Sequence, residues 1–296
     1  MRKYLFPAVI LFVSIAFTAN AQHQALRTEL DRIARTAKGK VGVAFSLLET
    51  NDTLTYHNQD HYVLHSVAKL AIAMTLLHEI DRGRFKLDQN IHITKADLPP
   101  TYSPLGDKYP EGNVDVPINV LINYMVSLSD NNACDILLKQ LGGPQVVENF
   151  VHSLGINQIA IKASEAQMAA AWPVQYTNWC QPYAQVQLLK YIYNRDVLSK
   201  TSSDFLWRAL LATSTGPKRL KGLLPIGTPV AHKTGTSPTN DKGLSPATND
   251  VGIIILPNGR HLAISVFMTD STDPIATREL IIAQIAKAAH DELVRR

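Results

Sequence analysis

The sequence predicts an α+β protein in which an antiparallel sheet, built from both ends of the chain and flanked by helices, accompanies an inserted helical subdomain. Apolar, β-rich segments concentrate near the two ends of the chain, whereas the middle repeats its apolar residues at helical spacing. A sheet assembled from both ends, with the helical middle inserted, is the simplest arrangement of these segments. We predict an α/β subdomain of residues 22–60 and 226–296 and a helical subdomain of residues 61–225.

The N-terminus has the pattern of a secretory signal peptide. Arg2 and Lys3 form a basic start, an apolar stretch runs from Tyr4 to Phe17, and Ala19-Asn20-Ala21 is a small-x-small cleavage site. The alternative, a membrane anchor, needs about 20 apolar residues and different flanks. We therefore predict cleavage after Ala21, export to the periplasm and no membrane attachment afterwards.

The composition is that of an ordinary globular protein, with 46% hydrophobic and 18% charged residues. Loss of Arg2 and Lys3 with the signal peptide lowers the formal net charge from +4 to +2. So small a charge indicates neither nucleic-acid binding nor attachment to a membrane surface. We expect a monomer.

The two cysteines, Cys134 and Cys180, allow two interpretations. An exported protein meets an oxidising compartment, so a disulfide is permitted. The alternative, which we favour, is a pair of buried and inert thiols. Two cysteines outside any C-x-x-C motif do not form a metal cluster, and we predict no metal and no other cofactor.

The first third of the chain predicts a helix, a hairpin and a second helix. Gln22–Ala37 has its leucines and isoleucine at helical spacing. Val41–Leu48 and Thr53–His57 are β-rich runs, and the polar segment Glu49–Asp52 between them indicates a hairpin. From Ser66 the apolar residues recur at helical spacing, and the glycine at position 83 is a suitable stop.

The rest of the chain predicts long connections in the helical middle and strands near the end. Prolines mark one loop at residues 99–110, and weak periodicity marks another, Ala163–Pro182, as an irregular loop. Loops of that length are usually functional. Three strands and a closing helix are then predicted at Pro229–Thr236, Asp250–Leu256, Leu262–Thr269 and Asp273–Arg296.

Three short motifs follow one another in the order S-x-x-K, S-D-N and K-T-G. They are Ser66-Val67-Ala68-Lys69, Ser129-Asp130-Asn131 and Lys233-Thr234-Gly235. Any one of them alone is a weak signal, because short polar strings recur by chance. The ordered set is the signature of penicillin-binding proteins and class A β-lactamases.

On these motifs the chain resembles a class A serine β-lactamase over nearly all of its mature length. Its final third, through Ser214–Pro225 and His232–Ser237, most resembles the PER/VEB-type extended-spectrum branch. The resemblance implies a serine β-lactamase/DD-peptidase-like fold with the active site at the junction of the subdomains. It also implies hydrolysis of the β-lactam amide bond of penicillins and cephalosporins, including oxyimino-cephalosporins, through an acyl-enzyme on Ser66.

Ser66 and Lys69 carry the first step. At spacing i, i+3 they share one face of a helix, whose N-terminus directs positive partial charge at Ser66. A serine hydroxyl becomes a nucleophile when a base accepts its proton. Lys69 can do so if burial or a cationic neighbour lowers its pKa. Taken alone, the two residues would be interpreted as a helix cap and a solvated lysine.

The second motif and Lys233 are assigned roles by the resemblance. Ser129 protonates the leaving nitrogen, Asn131 hydrogen-bonds the substrate amide, and Asp130 braces the neighbouring backbone. Lys233 supplies positive charge near Ser129 and the substrate carboxylate. The simpler alternatives are helix capping for the S-D-N motif and a surface position on an edge strand for Lys233.

The strand that carries the third motif is predicted to line the substrate site. The resemblance places Thr234 and Ser237 on this wall and assigns the oxyanion hole to the backbone N–H groups of Ser66 and Thr236. Gly235 has no side chain, and we expect this to let a substrate approach the strand closely.

Glu165 distinguishes a β-lactamase from its two rivals. A penicillin-binding DD-peptidase and a β-lactam-sensing domain also acylate serine, but rapid removal of the acyl group needs a base that activates water. Glu165 stands at the family's place for that base. The alternative is a solvated loop carboxylate, and the choice between Lys69 and Glu165 as the acylation base stays open.

Several residues depart from the common pattern of the family. Ala169 replaces an asparagine that binds the hydrolytic water, and Ala163 and Asn178 replace an Arg–Asp pair that ties the loop ends. Asp135 replaces an asparagine that faces the base, and two close carboxylates would raise one pKa. With the additional stretch Pro238–Pro246, these departures imply a rearranged loop and a wider mouth.

Arg219 and Tyr102 complete the predicted site. Val251–Pro257, the strand where the family often places a guanidinium, has no arginine, and Arg219 is the expected substitute because its fork can bind both oxygens of a carboxylate. Tyr102 resembles an aromatic gate beside the site. The alternatives are a surface arginine and ordinary loop packing.

Overall fold

A computed structural model describes residues 23–295 of the chain. The predicted signal peptide and its cleavage site therefore lie outside the described residues. Within the described part, no helix is both long and apolar enough to cross a membrane.

The described residues form strands near both ends of the chain and mainly helices between them. The strands are β1 (Lys40–Leu47), β2 (Asp52–Tyr56), β3 (Tyr62–Val63), β4 (Asn90–Ile93), β5 (Val114–Pro117), β6 (Ile159–Ala160), β7 (Trp179–Cys180), β8 (Val230–Thr236), β9 (Thr248–Ile255) and β10 (His261–Thr269). The helices are α1 (residues 23–34), α2 (Ala68–Asp81), α3 (Pro104–Lys108), α4 (Ile118–Ser127), α5 (Asn131–Leu141), α6 (Pro144–Ser153), α7 (Glu165–Ala170), α8 (Pro182–Asn194), α9 (Lys200–Leu211) and α10 (Ile275–Val294).

The main sheet joins the two ends of the chain. Its five strands lie in the order β2-β1-β10-β9-β8, and every neighbouring pair is antiparallel. The β1–β2 hairpin and the β1–β10 pairing confirm the α+β prediction. Between β2 and β8 the chain is mostly helical.

The sheet separates two hydrophobic cores because its side chains alternate between faces. Along β10, Ile264 and Val266 pack with α1 and α10, whereas Ala263 and Phe267 pack with the helical middle. Helix α2 lies inside the core formed with the helical middle and is buried throughout residues 68–77. A helix enclosed on all sides holds the first catalytic motif rigidly.

The predicted irregular loop Ala163–Pro182 was wrong in its secondary structure. It contains helix α7, a 3₁₀ helix at Trp172–Thr177 and strand β7. The side chain of Ser164 caps α7 in a reciprocal capping box with Gln167. A six-residue helix is too short to show periodicity, so its cap is the stronger signal.

The two cysteines are unpaired and buried, in agreement with the inert-thiol interpretation. Burial raises the pKa of both the Cys134 and the Cys180 thiol. A buried thiol that stays protonated is a poor nucleophile.

Candidate active site

Ser66 lies in the 3₁₀ turn His65–Val67 that leads into α2. The backbone of His65 has a φ of 44°, in the left-handed region that costs energy for a residue with a side chain. Asn249 of β9 donates hydrogen bonds to the carbonyls of Val63 and Leu64, at 2.8 and 3.1 Å. These contacts tie the turn that carries Ser66 to the main sheet.

Lys69 is completely buried and has four oxygen neighbours. Its Nζ donates to Ser66 Oγ at 3.0 Å, to the Ser129 carbonyl at 2.7 Å and to Asn131 Oδ1 at 2.6 Å. It also lies 3.1 Å from Glu165 Oε1. A buried ammonium is tolerated when it is paired and hydrogen-bonded in this way, and the contacts connect Ser66 with Glu165 through one side chain.

A second buried lysine lies on the other side of Ser129. Lys233 Nζ donates to Ser129 Oγ at 2.8 Å and to the Thr234 carbonyl at 2.9 Å. Burial lowers the pKa of Lys233 well below its usual value, and the positive charge of Lys69 adds to the effect. A lysine with a lowered pKa exchanges a proton with the Ser129 hydroxyl more readily.

Asp130 is completely buried and braces two helices. It caps α5 by accepting from the Ala133 N–H at 2.8 Å. It also accepts from the Leu105 N–H at 2.7 Å and from Ser103 Oγ at 2.9 Å, at the start of α3. The carboxylate therefore holds the segments on both sides of the S-D-N motif.

Glu165 is the first residue of α7 and is positioned by Asp135. The Asp135 carboxylate accepts from the backbone N–H groups of Glu165 and Ala166, each at 2.8 Å. The pKa of Asp135 is raised, mainly by burial and further by the negative charge of Glu165. The direction agrees with the sequence expectation, although burial rather than the second carboxylate is the larger cause.

The ends of the loop that carries Glu165 are joined by an amide instead of an ion pair. Asn178 Oδ1 accepts from the N–H groups of Lys162 and Ala163, at 2.7 and 2.9 Å, and Asn178 Nδ2 donates to the Ala163 carbonyl at 2.8 Å. The loop is therefore closed without a salt bridge. This closure does not depend on pH, because an amide does not titrate.

The structure gives a reason for glycine at position 235 that the sequence did not suggest. A Cβ atom at this position would lie 2.6 Å from the Leu64 carbonyl oxygen and 3.1 Å from Val67 Cγ2. The missing side chain thus makes room for the turn that carries Ser66, whereas the close approach of a substrate to this strand stays a prediction. Strand β8 and the nucleophile turn can lie side by side only because residue 235 is glycine.

Thr234, Thr236 and Ser237 form the predicted substrate wall at the end of β8, called the β8 wall below. The side chains of Thr234 and Ser237 are held by hydroxyl contacts. Thr234 Oγ1 lies 2.6 Å from Thr215 Oγ1. Ser237 Oγ lies 3.0 Å from Ser245 Oγ and accepts from the Ala247 N–H at 2.9 Å. The loop after β8 is therefore bonded back to the wall that it follows.

Arg219 is buried, with 4% of its surface exposed, so the surface-arginine alternative was wrong. Nε donates to Glu279 at 3.2 Å, one terminal nitrogen donates to the Gly235 and Asn249 carbonyls at 3.1 and 3.0 Å, and the other donates to Thr236 Oγ1 at 2.7 Å. All three nitrogens of the fork have protein partners, so a substrate carboxylate would have to share or displace one of them.

Three adjoining cavities meet around Ser66, Asn131 and Glu165. One of about 340 Å³ is lined by Ser129, the β8 wall and Tyr102, whose side chain is 58% exposed at the mouth. A second of about 250 Å³ extends from Ser66 towards the 3₁₀ helix Trp172–Thr177, and a third of about 280 Å³ lies beside α7. A separate cleft of about 360 Å³ lies between α1 and α10, away from all three motifs.

The profile of the β-lactamase enzyme family matches residues 25–293 of the chain, which include every residue of this site. The chain belongs to that family.

Individual relatives refine the assignment. The chain is 42% identical to β-lactamase VEB-1 of Pseudomonas aeruginosa, across 97% of this chain and 96% of the relative. It is 41% identical to the extended-spectrum β-lactamase PER-1 of the same organism, across 96% and 92%. The crystal structure of the TLA-1 extended-spectrum β-lactamase superposes with a TM-score of 0.90, at 48% identity, across 92% of this chain and 99% of that one. The resemblance to a class A enzyme of the PER/VEB type is confirmed.

The structure of this β-lactamase also brings into the site residues that the sequence analysis missed. His65, Thr101, Trp172 and Gln175 line the cavity between Ser66 and Glu165, and none of them belongs to a motif. Their only sequence signal is proximity, since each lies close to Ser66, Tyr102 or the segment that follows Glu165.

Proposed function

We propose that this β-lactamase opens the β-lactam amide bond of penicillins and cephalosporins by acylating Ser66, and that Glu165 then activates the water that releases the product. One observation carries the proposal. Lys69 Nζ lies 3.0 Å from Ser66 Oγ and 3.1 Å from Glu165 Oε1, so the nucleophile and the base for the second step adjoin the same buried cation.

In the first step Ser66 Oγ attacks the lactam carbonyl carbon and loses its proton. Two routes can carry that proton away. In one, Glu165 receives it through a water. In the other, Lys69 first gives a proton to Glu165 and then accepts the proton of Ser66. Ser129, which accepts a hydrogen bond from Lys233, protonates the ring nitrogen as the C–N bond breaks. The N–H groups of Ser66 and Thr236 stabilise the oxyanion, each contributing about 10²–10³ in rate.

In the second step Glu165 removes a proton from water, which attacks the acyl carbon and displaces Ser66. This step separates the proposal from a DD-peptidase and from a β-lactam-sensing domain. With nitrocefin, we expect a burst of acylation followed by steady turnover. Product formation that stops near one equivalent of enzyme would favour either rival.

Arg219 contributes to recognition of the substrate carboxylate. Its guanidinium contacts Thr236 Oγ1 at 2.7 Å and so brings buried positive charge to the β8 wall. Because its nitrogens are already bonded, the contribution comes from charge and from orienting Thr236, with direct contact only if the substrate displaces a partner.

Arg219→Ala is therefore expected to weaken β-lactam hydrolysis. Loss of a charge-assisted contact is worth about 1.5–3 kcal/mol, and kcat/KM should fall accordingly. The loss should be smaller for a substrate analogue whose carboxylate is esterified. Glu279→Gln is the matched control, because it removes the ion pair to Arg219 Nε at 3.2 Å but keeps the guanidinium. Equal losses for free acid and ester would exclude Arg219 from carboxylate recognition.

The substrate range extends to oxyimino-cephalosporins. The names of PER-1 and TLA-1 describe them as extended-spectrum enzymes. In this chain the loop that carries Glu165 is closed by Asn178 rather than by an ion pair, and Tyr102 and Pro238 line the open mouth of the site.

For ceftazidime we expect kcat/KM to approach that for cephalothin, because the cavities beside Tyr102 and α7 can accept a bulky side chain. The comparison is made on the mature enzyme at one pH and one salt concentration. A ratio below about 10⁻³, equivalent to roughly 4 kcal/mol of discrimination, would show that the mouth is narrow.

The predicted signal peptide supports export of the enzyme to the periplasm with cleavage after Ala21. There it would act as a monomer on small β-lactams that reach the compartment, without a metal or an organic cofactor.

A further inference from the structure

The cavity between Ser66 and Glu165 has an uneven distribution of polar groups. From the segment that carries Glu165, its lining residues are Glu165, Met168, Ala169, Trp172 and Gln175. Among these described lining residues, Glu165 and Gln175 alone have a side-chain oxygen. A water held there needs two or more polar partners. The indole N–H of Trp172 can only donate, so Gln175 is the partner besides the base that can also accept a hydrogen bond from the water.

The side chain of Gln175 is buried, with 2% of its surface exposed, and two hydrogen bonds hold its amide in one orientation. Its Oε1 lies 2.8 Å from His65 Nε2, and its Nε2 donates to the Trp172 carbonyl at 2.9 Å. Because an amide oxygen only accepts, His65 must carry its proton on Nε2. Burial lowers the pKa of His65 and keeps the ring neutral.

This pair retains free hydrogen-bonding capacity. An amide oxygen has two lone pairs and an amide nitrogen has two hydrogens, so each atom of the Gln175 amide can make one more bond. Neutral, buried and fixed groups are suited to orienting a water without competing with Glu165 for its proton.

We propose that the Gln175 amide, fixed by His65, is the second polar contact of the water that deacylates Ser66. This inference rests on the proposed function. Glu165 accepts a proton from the water, the water oxygen bonds to the acyl carbon, and the ester bond to Ser66 Oγ breaks as that oxygen regains a proton. Gln175 thereby takes the place left by Ala169, where the family's asparagine would bind the same water.

The test separates deacylation from acylation. Gln175→Met keeps the length of the side chain and removes its amide. Intact-mass measurements during turnover of cephalothin should show an acyl-enzyme that decays about tenfold more slowly than in the parent, the effect of one lost hydrogen bond. The rate of acylation should fall much less than the rate of deacylation, because Lys69 can take the Ser66 proton without this water, whereas the second step consumes the water itself. If Gln175→Met folds poorly, Gln175→Leu is used instead.

Two further variants distinguish water positioning from anchoring of the segment. Tyr176→Phe removes the hydrogen bond from Tyr176 Oη to Asp270 at 2.7 Å, which ties the same 3₁₀ helix to the residue that follows β10. Tyr176 does not line the cavity. This variant should deacylate at the parental rate. Adding Ala169→Asn to Gln175→Met returns an amide to the segment and should restore most of the lost rate.

Three outcomes would overturn the inference: an unchanged decay of the acyl-enzyme in Gln175→Met, equal slowing in Tyr176→Phe, or no restoration by Ala169→Asn in a variant that melts like the parent. Failure of the proposed function would look different, since the parent enzyme itself would then show no steady turnover.

Discussion

Ser66→Ala is expected to abolish turnover of nitrocefin and to leave no covalent adduct. The change removes the only atom that forms the acyl bond, and loss of the serine nucleophile of a serine protease costs about 2 × 10⁶ in kcat. The fold should survive, because Lys69 keeps its contacts with Ser129, Asn131 and Glu165.

The measurement combines steady-state kinetics with intact-mass spectrometry and thermal unfolding of the purified variant. The free energy of unfolding should change by no more than about 1.5 kcal/mol, the usual range for one hydrogen bond. Ser203→Ala is the matched control, since Ser203 is a buried serine of α9 outside the site. Turnover of a folded Ser66→Ala protein near the parental rate would show that another residue is the nucleophile.

The parts of the fold that the sequence predicts are those with local patterns. Apolar, β-rich runs mark β1, β9 and β10, and the spacing of isoleucines marks α10. Helix α7 was not predicted because six residues show no period. The antiparallel pair of β4 and β5 was not predicted because the prolines between the two strands suggested a loop. The short elements depend on caps and partners far away in sequence, which a periodicity analysis does not register.

The residues of the site also fall into those that the sequence predicts and those that it does not. Ser66, Lys69, Ser129 and Lys233 are recognisable because chemistry requires those residue types in order. The structural reason for Gly235 could not be predicted, because the clash of a side chain with Leu64 exists only once β8 lies beside the nucleophile turn. Gln175 and His65 are 110 residues apart, and no sequence motif predicts their contact.

The residues around Arg219 show why its function is harder to predict than its position. Its guanidinium bonds to a carbonyl of β8, a carbonyl of β9 and a carboxylate of α10. The sequence alone shows that β9 has no arginine and offers a candidate replacement. It could not show that the replacement would be enclosed by the strands that it supports.

Glu165→Ala is expected to acylate and then stall. Removing a general base typically lowers the rate of its step by about 10²–10⁴, and here the step is attack of water on the Ser66 ester. Intact-mass spectra should show a penicilloyl adduct that accumulates to about one per enzyme, because the residues that protonate the leaving nitrogen, Ser129 and Lys233, are untouched.

Lys69 complicates this variant, because the carboxylate removed also lies 3.1 Å from its ammonium. Glu165→Gln is therefore the better-matched change: its amide oxygen can still accept a hydrogen bond from Lys69, but it cannot take a proton from water. If both variants acylate normally and stall, the base is assigned to Glu165 independently of the charge on Lys69. If Glu165→Ala loses acylation while Glu165→Gln keeps it, the contact with Lys69 is needed to activate Ser66. An adduct that clears at the parental rate in both would mean that a different group activates the water.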